Sequence, residues 1–160
     1  MLNPIRLAFA LGCLLVTIVT FDAQAADATL VLSGKVAGGE ITLTRDEIAK
    51  LPQRTLTEQP TSFPEPIAFK GPSLREVLML AGATGGDITL TAADDYTVAI
   101  SADEMKAFDP ILAIEKDGVR MAPDDFGPFF VMWPFKANPE IDNETFQAKA
   151  IWSVIKIEVK

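Results

Sequence analysis

The sequence predicts an α+β fold of several small, mostly antiparallel sheets with three short helices inserted singly. Three observations predict it. Short apolar runs alternate with Gly-, Pro- and Asp-rich breaks along most of the chain. Thr44/Glu47, Ser73/Glu76 and Ser101/Glu104 have capping-box spacing, and each opens a short apolar-periodic stretch. The regular alternation of strands with long helices that marks a doubly wound parallel sheet is missing.

Residues 1–25 read as a secretory signal. Arg6 and the amino terminus form a small positive region, residues 7–20 are almost wholly apolar, and Ala23-Gln24-Ala25 is an A-x-A cleavage site. The apolar run is short for a bilayer span. Cys13 sits in the middle of that run behind a poor lipobox, so a lipid anchor or an uncleaved anchor is the alternative to a cleaved product. The expected product is one domain over residues 26–160, periplasmic or secreted, with no later stretch able to cross a membrane.

Residues 29–36 and 40–44 read as strands joined across Gly38-Gly39. The Thr44/Glu47 box opens a short helix ending at Leu51-Pro52. Residues 53–69 carry Pro60, Pro64 and Pro66 and read as an extended surface loop, apart from a possible strand at 54–57. Such loops are where ligand contacts tend to sit. Residues 69–83, F-K-G-P-S-L-R-E-V-L-M-L-A-G-A, hold the organising helix: Leu74, Val77, Leu78 and Ala81 share one face, and Gly82 follows as a left-handed end. A helix this short is marginal alone, so flanking strands must cover its apolar face.

Strands follow at 88–91 and 96–100, turning at Asp94-Asp95. The Ser101/Glu104 helix buries Met105 and Phe108 and stops at Pro110. Residues 111–115 and 119–121 flank Lys116-Asp117-Gly118, a strong hairpin signal. Residues 129–133 form a strand that is apolar on both faces, expected to lie centrally in the core, and residues 138–144 a polar loop. A last strand alternates Ile155, Ile157 and Val159 with charged residues, burying the isoleucine and valine face.

Composition closes many functions. Without Arg6 and Asp22, 13 basic and 21 acidic residues remain, a net charge of −8 that disfavours nucleic acid. There is no His, and the one Cys lies in the signal. The product therefore has no disulfide, no Ser-His-Asp or Cys-His nucleophile, no zinc site of the usual ligands and no thiol redox pair. Asp124-Asp125 lacks the further oxygen ligands and spacing of a calcium loop. Residues 82–86 follow a helix and lack the Lys-Ser/Thr ending of a phosphate loop.

Two polar groups stand out. Asp94, Asp95 and Tyr96, with Arg75 expected nearby, offer carboxylates and a phenol to a small ligand; the plain alternative is an Asp-rich turn. Trp133-Pro134-Phe135-Lys136 ends a strand of large residues and is expected to line a cleft with a cation beside it.

The ordered segments T-L-T-R-D-E-I-A-K-L-P, F-K-G-P-S-L-R-E-V-L-M-L-A-G-A, A-D-D-Y-T-V-A-I, I-L-A-I-E-K-D-G-V-R-M, G-P-F-F-V-M-W-P and W-S-V-I-K-I-E-V resemble the oxidoreductase molybdopterin-binding domain family, the sulfite-oxidase fold, in a small secreted single-domain form. The resemblance runs from about residue 29 to residue 159. It implies several small sheets with a β-grasp-like part, and a molybdenum–pterin cofactor held through a cysteine thiolate in catalytic members. The corresponding stretch here, residues 54–60, reads R-T-L-T-E-Q-P and has no Cys; no His and only four Arg follow the signal. A hard hydroxyl or carboxylate does not replace a soft thiolate. The expectation is a binding module for a small ligand or an exported or membrane protein partner, its cleft lined by Thr55, Thr57, Glu58, Asp94, Asp95, Tyr96, Trp133 and Lys136. The alternative is a molybdopterin-dependent oxidoreductase or its subunit with a non-cysteine molybdenum ligand.

Overall fold

The computed structural model describes residues 28–160. The signal, its cleavage site and Cys13 lie outside the described residues. Among the described residues eleven strands form three sheets, and four α-helices, the first of them α1 (Arg45–Ala49), lie between strands. The largest runs β2 (Ile41–Thr44), β1 (Thr29–Gly34), β11 (Val154–Val159), β5 (Ile88–Ala92), β6 (Thr97–Ile100). Its β1–β11 pair is parallel and the rest antiparallel, so the last strand is seated between the first and fifth. The second sheet runs β3 (Arg54–Glu58), β4 (Ile67–Gly71), β8 (Glu115–Lys116), β9 (Val119–Arg120). The third is the pair β7 (Ile111–Ala113) and β10 (Phe130–Met132).

Alternation explains the large sheet. Leu30, Leu32, Leu43, Leu90, Val98, Ile100 and Ile157 are buried, whereas Thr42, Thr97 and Ala99 face solvent. The β7–β10 pair is buried on both faces, as its unbroken apolar pattern requires. In α2 (Leu74–Leu80) the expected face is buried, with Leu74 and Val77 inaccessible, and Gly82 follows at φ +67°. The α2 entry is tied to α3 (Ala102–Phe108) and β7 through Leu74 N–H to the Pro110 carbonyl and a Ser73–Ile111 bridge.

Four expectations need correction. Within residues 53–69 the possible strand at 54–57 forms as β3, but the far end is not loop: β3 and β4 pair in register from Arg54–Gly71 to Glu58–Ile67, and the prolines are confined to the connection. Pro cannot donate to a ladder, which is why the pairing stops there. That connection is anchored by Phe63, buried against Phe69 and Phe126 at centroid distances of 5.6 and 4.6 Å. Residues 111–115 are not one strand either: β7 leaves for β10, and only β8 and β9 form the hairpin, with Asp117 and Gly118 at φ +48° and +78°.

The polar stretch at 138–144 contains a 3-10 turn at Pro139–Ile141, and a fourth helix follows, α4 (Glu144–Gln147), capped by Asn143. Ile155 is 40% exposed rather than buried. A bulge between Val154 and Lys156 inserts one extra residue and resets the parity, so Val154 and Ile157 point inward and Ile155 outward.

Candidate functional site

The structure does not bring the eight sequence-predicted residues to one cleft. Thr55 and Thr57 are exposed on β3, which is an edge strand. Glu58, at the inner end of that strand, is buried and accepts the Lys136 backbone N–H at 3.1 Å. Burial pushes its carboxyl above the usual range, outweighing the Lys136 hydrogen bond and charge that pull it down. The Lys136 side chain is exposed. Trp133 is wholly buried, its indole N–H donating to the Lys149 carbonyl at 3.1 Å, and its ring packs edge-on against Phe146 and Phe108. Arg75 is not beside Asp94 and Asp95; it pairs with Asp109.

Asp94 and Tyr96 do open onto a cavity, of about 500 Å³, whose other walls come from residues 61–62, from α4 and the residues after it, and from Trp152. Each wall is fixed by local chemistry. Asp94 Oδ1 accepts the Tyr96 N–H at 3.2 Å and Asp95 takes φ +64°, which together turn the chain and stand Tyr96 at the rim. The Tyr96 hydroxyl donates to the Ala148 carbonyl at 3.3 Å, joining the turn to the end of α4. Helix α4 starts where the Asn143 side chain accepts the N–H groups of Thr145 and Phe146. Gln147 then bridges: its amide donates to Asp142 at 2.7 Å and its carbonyl accepts from Thr61 at 3.3 Å.

Trp152 is held by Phe126 and Phe130 at 5.7 and 6.2 Å, both edge-on, with Ser153 beside it at φ +52°. Tyr96 and Trp152 nonetheless remain 50% and 41% exposed, two large rings at the same opening. Trp152, Gln147 and Thr61 are the residues that the sequence reading missed. Only the Asn143-Glu144 start of α4 carried a local signal.

The charges are one-sided. Asp94 and Glu144 line the cavity, and among the described residues no Lys or Arg does. The nearest cation along the chain, Lys149, is ion-paired with Glu104 and lies 5.2 Å from the centre of the Phe146 ring. Burial raises the Glu104 carboxyl, but hydrogen bonds from Lys149 and Ser101 outweigh it and hold the group below its ordinary range.

A second cavity of about 490 Å³ lies between α2 and α3. Its polar wall is a knot on Asp109, which ends α3 in the left-handed conformation at φ +49°. Asp109 accepts from Arg54 Nη1 at 2.5 Å, Arg75 Nε at 2.9 Å and Ser73 Oγ at 2.8 Å. Burial alone would raise its carboxyl; these three donors and the guanidinium charges instead hold it below the usual aspartate range. The Ser73/Glu76 box thus has its Glu76 carboxylate on the Ser73 N–H at 3.2 Å, while the hydroxyl proton goes to Asp109.

The stretch that the resemblance sets against the metal-ligating region of catalytic members, residues 54–60, offers no sulfur donor, and its one buried carboxylate already holds a backbone N–H. Among the described residues no group of three or more His, Cys, Asp or Glu side chains could hold a metal ion, and no helix is long and apolar enough to cross a membrane. These donors do not fit a cysteine-ligated molybdenum centre.

The fold is found in solved structures. The sulfane dehydrogenase SoxCD from Paracoccus pantotrophus matches over 82% of this chain with a TM-score of 0.62 and 14% sequence identity. This chain spans 38% of the length of that one. No family model matches the sequence, and no curated protein matches it. The chain therefore shares an α+β architecture with a portion of a dehydrogenase subunit.

Proposed function

We propose that this protein is an exported binding module on a sulfite-oxidase-type scaffold, taking a small organic ligand between Tyr96 and Trp152. The observation that carries the reading is the cavity: two half-exposed aromatic rings, on segments 56 residues apart, are positioned by an Asx turn, an N-capped α4 and edge-on phenylalanines to face one opening. Mostly apolar walls with a few placed polar groups are what small-molecule sites have in common. The leader pattern at residues 1–25 supports export. The likeness to a dehydrogenase portion and the six ordered segments support the scaffold, and the missing thiolate turns the reading from redox turnover to binding.

The test uses the full chain expressed with export in a host that makes molybdenum cofactor. Native mass spectrometry of the purified protein is expected to show an added small-molecule mass that the Trp152→Leu variant lacks. Elemental analysis and fluorescence of released oxidised pterin are expected to be blank. Stoichiometric molybdenum with pterin would replace this reading with that of an oxidoreductase subunit using a non-cysteine ligand. A protein partner retained in place of a small molecule would show that a polypeptide segment occupies the cleft.

A further inference from the structure

We infer that the ligand of the Tyr96–Trp152 cavity is an organic cation, an amine or quaternary ammonium compound; the inference rests on the binding-module reading and names its ligand class. Three features of the cavity lead there. Its two exposed large side chains are both aromatic, and indole and phenol rings are the surfaces that attract ammonium groups. Its two charged lining residues are both carboxylates, and the Glu144 side chain makes no hydrogen bond or ion pair among the described residues. One Asp94 oxygen accepts the Tyr96 N–H, and the group stays exposed at the rim.

The third feature is a shortage of cationic donors. The Tyr96 hydroxyl is engaged on Ala148, the Gln147 amide on Asp142, and the Thr61 N–H and hydroxyl on Gln147. The Ser62 hydroxyl and the Trp152 indole N–H are open but neutral, and no Lys or Arg among the described residues lines the cavity with them. Lys149, which could have served an anion, is paired with Glu104. The net charge of −8 adds a long-range field of the same sense, raising the local concentration of cations. The second cavity makes the comparison: its two guanidiniums both pair with Asp109, and among the described residues its lining carries charges of both signs and no aromatic ring.

Three probes of one shape separate the possibilities: choline, its neutral isostere 3,3-dimethyl-1-butanol, and the anionic 3,3-dimethylbutanoate. Each is titrated into the full chain by calorimetry and by Trp152 fluorescence, with buried Trp133 as the unresponsive reference. Choline is expected to bind about tenfold more tightly than the alcohol, the carboxylate least. The Asp94→Asn/Glu144→Gln variant keeps the Asx-turn acceptor and is expected to weaken choline about fivefold while leaving the alcohol unchanged. Raising the ionic strength should shrink the choline preference in wild type and not in the variant. Equal or tighter binding of the alcohol or the carboxylate overturns the cationic class and leaves the cleft as a site. If no probe moves Trp152 emission, the cationic class falls; the native mass spectrum then decides the cleft separately, because a mass lost in Trp152→Leu preserves it and an unchanged spectrum removes it too.

Discussion

Replacing Trp133 by alanine is expected to remove a large part of the protein's stability, and replacing Trp152 by leucine to remove little of it. Trp133 is inaccessible to solvent, with ring centroids 5.0 Å from Phe146 and 6.5 Å from Phe108. Truncating a buried Trp to Ala costs about 3–5 kcal/mol in transfer and cavity terms. The Lys149 carbonyl also loses its indole N–H donor, worth about 1 kcal/mol. A total near 4–6 kcal/mol is a quarter or more of the roughly 5–15 kcal/mol by which domains are stable. Trp152 is 41% exposed and meets Phe126 and Phe130 only along edges, so Trp152→Leu should cost about 1 kcal/mol.

The assay is urea denaturation followed by far-ultraviolet circular dichroism, which does not depend on the indoles being exchanged. Trp133→Phe serves as control: it keeps a ring against Phe146 and loses the hydrogen bond, and should fall between the other two. Phe146 lies on α4, so Trp133→Ala should also loosen the cleft through Gln147, lowering affinity only as far as it lowers stability. A Trp133→Ala protein with an unchanged urea midpoint and abolished ligand binding would refute this reasoning and put the binding surface at Trp133.

Asp109→Asn keeps the left-handed backbone but removes the charge shared by Arg54, Arg75 and Ser73. With side-chain exposures of 40%, 50% and 29% for Arg54, Arg75 and Asp109, solvent screens both pairs, and a loss of about 1–2 kcal/mol in urea melts is expected. Because the folded Asp109 carboxyl is held below its unfolded value, this stabilisation is present above the unfolded aspartate range and is lost as pH falls through the folded one, so variant and wild type should converge in acid. Glu58 has the opposite sign. Its folded carboxyl is raised, so the stability tied to its proton is present in acid and lost as pH rises through the folded value; Glu58→Gln, which still accepts the Lys136 N–H, should melt higher than wild type at neutral pH and match it in acid. Gly71→Ala places a methyl carbon 2.0 Å from the Leu112 carbonyl oxygen, backbone against backbone; a loss of about 3 kcal/mol or failure to fold should show in thermal melts.

Much of the fold was legible because its signals are local. The Thr44/Glu47 and Ser101/Glu104 boxes form as their spacing predicts, and Asp117-Gly118 turns the hairpin. The Glu76 carboxylate reaches back to the Ser73 N–H as well. What stayed hidden was set at a distance. The Ser73 hydroxyl also bonds Asp109, 36 residues on. The β4 ladder was hidden by the prolines just before it, and the β11 parity by a bulge that no alternation pattern reveals. Helix α4 has four residues, too few for any periodicity. For the site, Asp94 and Tyr96 were visible as a polar turn. Trp152, Gln147 and Thr61 were not, because their meeting depends on β11 seating beside β5 and on the α4 cap, two tertiary outcomes.

The interior bears on why binding is the better reading. Among the described residues, Glu58 and Ser73 are the buried polar side chains, and each has a partner: Glu58 the Lys136 N–H, Ser73 the Asp109 carboxylate. Acid–base chemistry needs titratable groups whose environments drive them apart while both face a substrate. Here the raised carboxyl, Glu58, lines neither cavity, and the lowered one at the second cavity, Asp109, is saturated by three donors. The Tyr96–Trp152 opening holds two rings, two carboxylates and the hydroxyl-bearing Thr61 and Ser62. Such a surface suits recognition of a molecule by shape, stacking and charge, as the proposed function requires. On the proposed reading, sheets arranged as in the dehydrogenase portion serve to set two aromatic rings at one opening.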